Sequence, residues 1–334
     1  MSESNDSLGS AGARRRSMLR QIAAAAVLPA FAGMAWAQGY PARPIHMIVP
    51  FPPGGGFDNL ARPFAAKLGA YLNQSIVIEN RSGAGGNIGT AEVARAAPDG
   101  YTILFGNEIL GISPLMYKSL PYDSVKSFQP IAMVAKTPLA LAINPGLPAH
   151  NLKELIQLSA KEPITFGTPG VGTSPQLMGE LLNQKSPLKL RHIPYKGTGP
   201  AITDAIGGQI NAVLSVASSI APYIDSGKLR GIALLSESRS SQAPGLPTIA
   251  EAGLPGYTHD VWYAILAPAG TPRPIVDKLA QASRHVLQDP ALIEQLHKLG
   301  FEPDWGDAGA VTKRITGDLE RWRRVIADGH IAPL

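Results

Sequence analysis

The chain reads as an α/β protein of two lobes, each a mainly parallel sheet flanked by helices. Three features predict this class. From Pro44 onward, short apolar runs alternate with helical patterns, as they do where crossover helices join parallel strands. The alternation runs through two successive series. Gly (35) and Pro (30) are abundant in a chain of which only 16% is charged, which favours many short elements separated by tight turns. With 334 residues and 45% apolar content, the chain can bury two cores of ordinary domain size.

Ile45-His46-Met47-Ile48-Val49 predicts a strand. Residues 57–73 predict a helix with Leu60, Phe64 and Leu68 at helical spacing. Ile76-Val77-Ile78 is the next strand. A loop over 81–87 leads to a helix ending near Ala97, stopped by Pro98-Asp99-Gly100, and then to a strand over 102–105. The run 131–143 reads as two strands interrupted at Pro138. Asn151 is placed to cap a helix carrying Leu152, Leu155 and Ile156 on one face, with Glu154 at its third position, the spacing of a capping box. The second series follows: strand 164–166, helix 174–184, strand 189–195, helix 200–206, strand 210–215, helix 219–225, strand 229–235. After a turn-rich stretch, a strand over 261–266 precedes amphipathic helices. Ile275, Leu279, Ala282 and Val286 line one; Val311, Ile315, Leu319, Trp322 and Ile326 line another. The expected lobes are 38–139 with 261–334, and 140–260, joined by two strand crossings near Ala140 and Asp260.

The first 37 residues have the order of an export signal. Arg15-Arg16-Ser17-Met18-Leu19-Arg20 precedes an Ala-rich apolar stretch, and Ala35-Trp36-Ala37 supplies a small-x-small cleavage pattern, so the mature chain is expected to begin at Gln38. The paired arginines are similar to a twin-arginine signal; Arg14, standing where Ser or Thr is usual, leaves the general secretory route open. Retention as an anchor is disfavoured, because the apolar stretch of about 16 residues falls short of a span and carries Pro29. Beyond this segment, basic residues number 26 and acidic 23, once Arg14, Arg15, Arg16 and Arg20 are set against Glu3 and Asp6. The remaining basic residues are scattered, apart from Arg321, Arg323 and Arg324, read as the solvated face of a terminal helix. No nucleic-acid partner is expected. Cysteine is absent, which removes disulfides, thiolate metal sites and cysteine nucleophiles.

Four loops could carry chemistry. Pro50-Phe51-Pro52-Pro53-Gly54-Gly55-Gly56-Phe57-Asp58 joins a strand to a helix; its glycines admit close approach of a ligand, and amides at a helix start attract an anion. The alternative is a tight turn with Asp58 only capping the helix. Arg81-Ser82-Gly83-Ala84-Gly85-Gly86-Asn87-Ile88-Gly89 repeats this context. It is neither a dinucleotide fingerprint, since Ile88 holds the last glycine position, nor a phosphate loop, since no Lys-Ser/Thr follows. Thr168-Pro169-Gly170-Val171-Gly172-Thr173-Ser174 offers hydroxyls and amides from the second series, although Thr173 or Ser174 serves equally as a plain cap. Lys196, in Tyr195-Lys196-Gly197-Thr198-Gly199, reads as a surface lysine. Nucleophile-elbow and zinc-protease motifs are missing. No cofactor or metal is expected, and His192 and His259 read as structural. Asp58 and Glu108 are the candidates for a carboxylate pair.

These loops, in this order, resemble the Bug or TctC family, the extracytoplasmic receptors of tripartite tricarboxylate transporters. The likeness also rests on Tyr40-Pro41-x-Arg43-Pro44-Ile45, Glu79-Asn80-Arg81, Ala97-Pro98-Asp99-Gly100-Tyr101, Leu120-Pro121-Tyr122-Asp123, Pro194-Tyr195-Lys196-Gly197, Gly227-Lys228-Leu229-Arg230, Leu246-Pro247-Thr248-Ile249-Ala250-Glu251-Ala252-Gly253-Leu254-Pro255-Gly256-Tyr257 and Ala267-Pro268-Ala269-Gly270-Thr271-Pro272. It implies a type II periplasmic-binding-protein fold whose lobes close on a ligand by hinge bending, and no enzymatic activity. It also implies that Gly54, Gly55, Gly56, Phe57, Asp58, Gly83, Ala84, Gly85, Gly86 and Asn87 grip one carboxylate, partly through ordered water, while Thr173 and Ser174 take the ligand's other end. Family ligands include di- and tricarboxylates, acidic amino acids and aromatic carboxylates. The partners implied are a small carboxylate and integral-membrane transporter subunits, with a periplasmic monomer as the diffusing form. Three departures bear on specificity. Phe57 stands where Ala or Thr is common, Asn107 and Glu108 replace a Ser/Thr-rich stretch, and Ser215 replaces a frequent Asp. Glu108 would disfavour a second carboxylate or pair with an amine. Two rival roles are a sensor presenting its closed form to a signalling partner, and an exported hydrolase, which the missing nucleophile motif opposes.

Overall fold

The computed structural model describes residues 39–240 and 243–334; the expected export signal lies outside them. The chain divides at Arg43. Of the first unit only residues 39–43 are described, without helix or strand, and the described elements all lie in the second, Pro44–Leu334.

The first β/α series is β1 (Ile45–Val49), α1 (Gly56–Leu72), β2 (Ile76–Asn80), a single 3-10 turn (Ala84–Gly86), α2 (Asn87–Ala94), β3 (Thr102–Asn107) and α3 (Ile109–Met116). A long strand, β4 (Phe128–Ile143), leads to the second series: α4 (Leu152–Ser159), β5 (Ile164–Thr168), α5 (Ser174–Lys185), β6 (Leu190–Pro194), α6 (Thr198–Ile206), β7 (Ala212–Val216), α7 (Ala217–Asp225) and β8 (Arg230–Leu234). The chain returns through β9 (Asp260–Pro268) and ends in α8 (Arg273–Val286), α9 (Pro290–Lys298), β10 (Glu302–Gly306) and α10 (Ala308–Asp328).

Two mixed sheets result. One runs β2-β1-β3-β9-β4-β10 and the other β8-β4-β7-β5-β6. Pairing is parallel among β1, β2 and β3 and among β5, β6 and β7, and antiparallel along β4 and β9. Buried Ile48, Leu104, Trp262, Leu266, Val311 and Ile315 pack at the first sheet; Ile202, Val213, Ile220, Leu229 and Leu234 pack at the second.

The expected break at Pro138 is a continuous strand of 16 residues. Residues 128–138 of β4 pair with β9, and residues 139–143 pair with β7 and β8. Proline has no N–H to give to a ladder, and Pro138 sits where the strand leaves one ladder and enters the next. The position that resembled a stop is the one where a missing donor costs least.

Local signals elsewhere produce the expected structure. Asn151 caps α4, its side chain accepting from the Glu154 amide, while Glu154 accepts from the His150 amide and the Asn151 side chain, a capping box. In α10, Arg323 and Arg324 are exposed as expected. Arg321 is not: it is half-buried, donates to the Thr258 carbonyl at 2.8 Å and approaches Met178 Sδ at 3.4 Å. Its position one residue before fully buried Trp322 carries it to the edge of the packed face. No described helix is long and apolar enough to cross a membrane.

Candidate functional site

The carboxyl ends of β1, β3, β5 and β7 open on one cleft of about 590 Å³, within the range of small-molecule sites and at the strand edge where α/β sheets collect ligands. The first series supplies the loop from Phe51 to Phe57, Gly85, and the β3 end with α3. The second supplies residues 169–175, the start of α6 and the end of β7.

Gly54, Gly55, Gly56 and Phe57 line the cleft at the start of α1. The first helical bond there is Asn59 N–H to Gly55 C=O at 2.9 Å, so the amides of Gly56 and Phe57 precede it and have no acceptor within the helix. Phe57 faces Phe51 at 4.6 Å between ring centroids and is backed edge-on by Phe105 (5.5 Å) and Tyr263 (5.1 Å). This gives the cleft a stiff aromatic wall.

Asp58 lies behind this loop and does not line the cleft. Its side chain is 2% exposed. Oδ2 accepts from the Gly54 amide (2.9 Å) and Arg62 Nε (2.7 Å), and Oδ1 accepts from Asn80 Nδ2 (3.0 Å). Burial opposes ionisation, but the bonds from Arg62, Gly54 and Asn80, with the Arg62 charge, hold the carboxyl below the ordinary aspartate range. Asn80 also donates to the Phe51 carbonyl at 3.0 Å. Asn80 and Arg62 thus fasten the glycine loop from below; the spacing of Arg62 four residues after Asp58 was the available signal for one of them.

Of the second glycine loop, only Gly85 reaches the cleft. Its φ is +65°, and a Cβ there would stand 2.9 Å from the Tyr117 hydroxyl. Gly86, at φ +98°, is held bare by Ile109 Cδ1, 2.7 Å from where a Cβ would be. Gly83 and Ala84 shape the turn outside the cleft, both at positive φ. Asn87 is buried and accepts from the Tyr122 hydroxyl at 2.6 Å, away from the cleft.

Asn107, Glu108, Thr173, Ser174 and Ser215 all line the cleft. Asn107 Oδ1 accepts from the Ile109 amide at 3.2 Å, starting α3. Glu108 is 6% exposed; one oxygen accepts from Ser174 Oγ at 2.5 Å and the other is hydrogen-bonded to His259 Nε2 at 2.6 Å. His259 is buried, its ring edge-on to Trp322 at 4.9 Å. Thr173 occupies the cap position of α5, but its hydroxyl donates to the Gly170 carbonyl at 2.7 Å. Thr198 and Ser215 share a hydrogen bond of 2.9 Å. Asp58 and Glu108 therefore take separate partners rather than each other.

Lys196 is exposed and outside the cleft. His192 is bound to Thr168 Oγ1 at 2.6 Å, and burial lowers its pKa to about 4. Sequence reasoning missed α3 and its cleft residues Ile109, Ile112 and Tyr117, because the helix spans eight residues and contains Pro114. Among the described residues no cluster of His, Asp and Glu has the makings of a metal site.

The model describing the tripartite tricarboxylate transporter family receptor matches residues 60–330. Protein BugT of Bordetella pertussis is 36% identical over 318 residues, 93% of this chain and 98% of its own. A solved R. palustris protein with adipate is 32% identical, with TM-score 0.79, covering 88% of this chain and 100% of its own. MatC from Rhodopseudomonas palustris, with bound malate, is 30% identical, with TM-score 0.75, covering 86% of this chain and 100% of its own.

Proposed function

The chain belongs to the tripartite tricarboxylate transporter receptor family, a family of two-lobed periplasmic solute-binding proteins, and from this premise we propose that its cleft captures a small carboxylate and delivers it to integral-membrane transporter subunits. The observation that carries the reading is the row of uncommitted amides at the start of α1, opening into a cleft faced by loops of both β/α series. A carboxylate laid across those amides satisfies donors that have no acceptor within the helix, and it sits at the positive end of the helix dipole. The relatives solved with adipate and malate support an acidic ligand.

In this reading residues 38–139 with 261–334 form one lobe and 140–260 the other. The open receptor samples closure, and a ligand touching both lobes favours the closed form, which the membrane subunits then recognise. Export through the signal in residues 1–37, with cleavage near Ala37, delivers a monomer to the periplasm.

The test is thermal denaturation against a panel of carboxylic acids paired with their methyl esters. A ligand at about 100 times its Kd adds about 2.7 kcal/mol to stability, a clear rise in Tm. An acid that stabilises while its ester does not supports the reading. Stabilisation by neutral solutes, with none by any acid, overturns it.

A further inference from the structure

Among the described residues, the cleft is lined by one acidic side chain, Glu108, and by no lysine or arginine. Resting on the reading that this is a carboxylate receptor, we propose that the cleft selects a monocarboxylate with an uncharged apolar or aromatic body, and that Glu108 is the residue that rejects a second carboxylate.

Three observations converge. The first is the distribution of free donors. Uncommitted amides gather at the start of α1, whereas in the second series the Thr173 hydroxyl donates to the Gly170 carbonyl and that of Ser174 to Glu108, and Thr198 and Ser215 share one hydrogen bond. The Gly172 amide is likewise taken, by Gln176 Oε1 at 2.7 Å. A second carboxylate therefore finds the Thr173 and Ser174 hydroxyl donors already spent.

The second is the wall between. Phe51 and Phe57 stand together on the cleft wall, which Ile109, Ile112, Val216 and Val261 also line. A ligand body crossing this space is desolvated. An apolar or aromatic body gains by that, and a charged one loses.

The third is Glu108 itself. Its oxygens accept hydrogen bonds from Ser174 and His259, so it is held in place at the cleft and cannot swing aside to admit another anion. At an effective dielectric of about 20, two uncompensated negative charges about 6 Å apart weaken binding roughly a hundredfold, an upper bound that the His259 ring bound to Glu108 reduces. The same tie converts Ser174 from a donor available to a ligand into one spent on Glu108.

The experiment is isothermal titration of the purified protein with phenylacetate, cyclohexanecarboxylate, adipate and malate, repeated on Glu108→Gln. The glutamine keeps the size and an amide oxygen that can accept from Ser174. The wild-type protein is expected to bind phenylacetate or cyclohexanecarboxylate about tenfold or more tighter than either dicarboxylate. E108Q is expected to shift the ratio of adipate to phenylacetate affinity about tenfold or more toward adipate. A wild-type preference for adipate or malate overturns this proposal while leaving the carboxylate-receptor reading intact. So does an unchanged ratio in E108Q. Silence toward every acid overturns both. Should E108Q not fold, the wild-type preference decides alone.

Discussion

Replacing Asp58 by alanine isolates what fastens the glycine loop. The carboxylate is 2% exposed and accepts three hydrogen bonds, from the Gly54 amide, Arg62 Nε and Asn80 Nδ2. Hydrogen bonds to a charged acceptor contribute about 1.5 kcal/mol or more each, so the Gly54 and Asn80 bonds together account for about 3 kcal/mol. The Arg62 side chain is 54% exposed, and its share is about 0.5 kcal/mol or less, since water replaces the partner. Asp58→Ala should therefore lower the unfolding free energy by about 3 kcal/mol in urea titrations monitored by circular dichroism, with no change in slope. Asp58→Asn, which keeps one acceptor but not the charge, should lose about half as much. The acid limb gives an independent check. A carboxyl whose folded pKa is depressed stabilises fully above its unfolded value, and that contribution is lost as pH falls through the folded pKa. The Asp58 carboxyl is held below the ordinary aspartate range, so the alanine variant should show less acid sensitivity below about pH 4. Because the same carboxylate anchors the Gly54 amide beside the cleft, ligand affinity should fall with stability. A loss below about 1 kcal/mol would refute the claim that Asp58 supports the loop from behind.

Two further outcomes test the packing. Gly300 has φ +86°, and a Cβ there would lie 2.1 Å from Ser218 Cβ and 3.0 Å from its Cα. Gly300→Ala should cost about 3 kcal/mol from overpacking and positive φ combined; Ser218→Gly in the same chain should return only part of it, and full recovery by thermal melts would contradict the backbone share. For His192, burial lowers the pKa from 6.5 to about 4. Between these values the unfolded ring binds a proton that the folded ring refuses, so stability falls as pH drops through that window. Discounted for partial exposure, the effect is about 1.5 kcal/mol, and His192→Gln should narrow the difference between melts at pH 7 and pH 4 by that amount; an unchanged difference would exclude His192 as its source.

What could be read in the sequence was local. The Asn151 and Glu154 spacing gave a capping box because both partners lie within one turn. The glycine loops were recognisable as cleft-forming because a strand, a glycine run and a helix start are contiguous. Asp58 was legible as part of the first loop, but not its placement behind it, which depends on Asn80 arriving from β2. The tie from Glu108 to Ser174 and His259 spans 66 and 151 residues, and no periodicity records such a meeting. α9 and β10 escaped for a different reason: Glu-Pro-Asp-Trp-Gly has no strand alternation, and β10 exists only because the edge of β4 accepts it at Ala135 and Lys136.

The unbroken course of β4 has a consequence for anyone who would rebuild this receptor. At about 3.3 Å per residue, its 16 residues extend about 50 Å and supply inner rungs to both sheets. A chimera that borrows its second sheet from a relative cannot be spliced after Ile143. It must be joined at Pro138 and bring residues 139–143 along with their β7 and β8 neighbours, or the new sheet inherits a foreign central strand. For the same reason a reporter domain inserted at the crossing would disrupt two ladders at once.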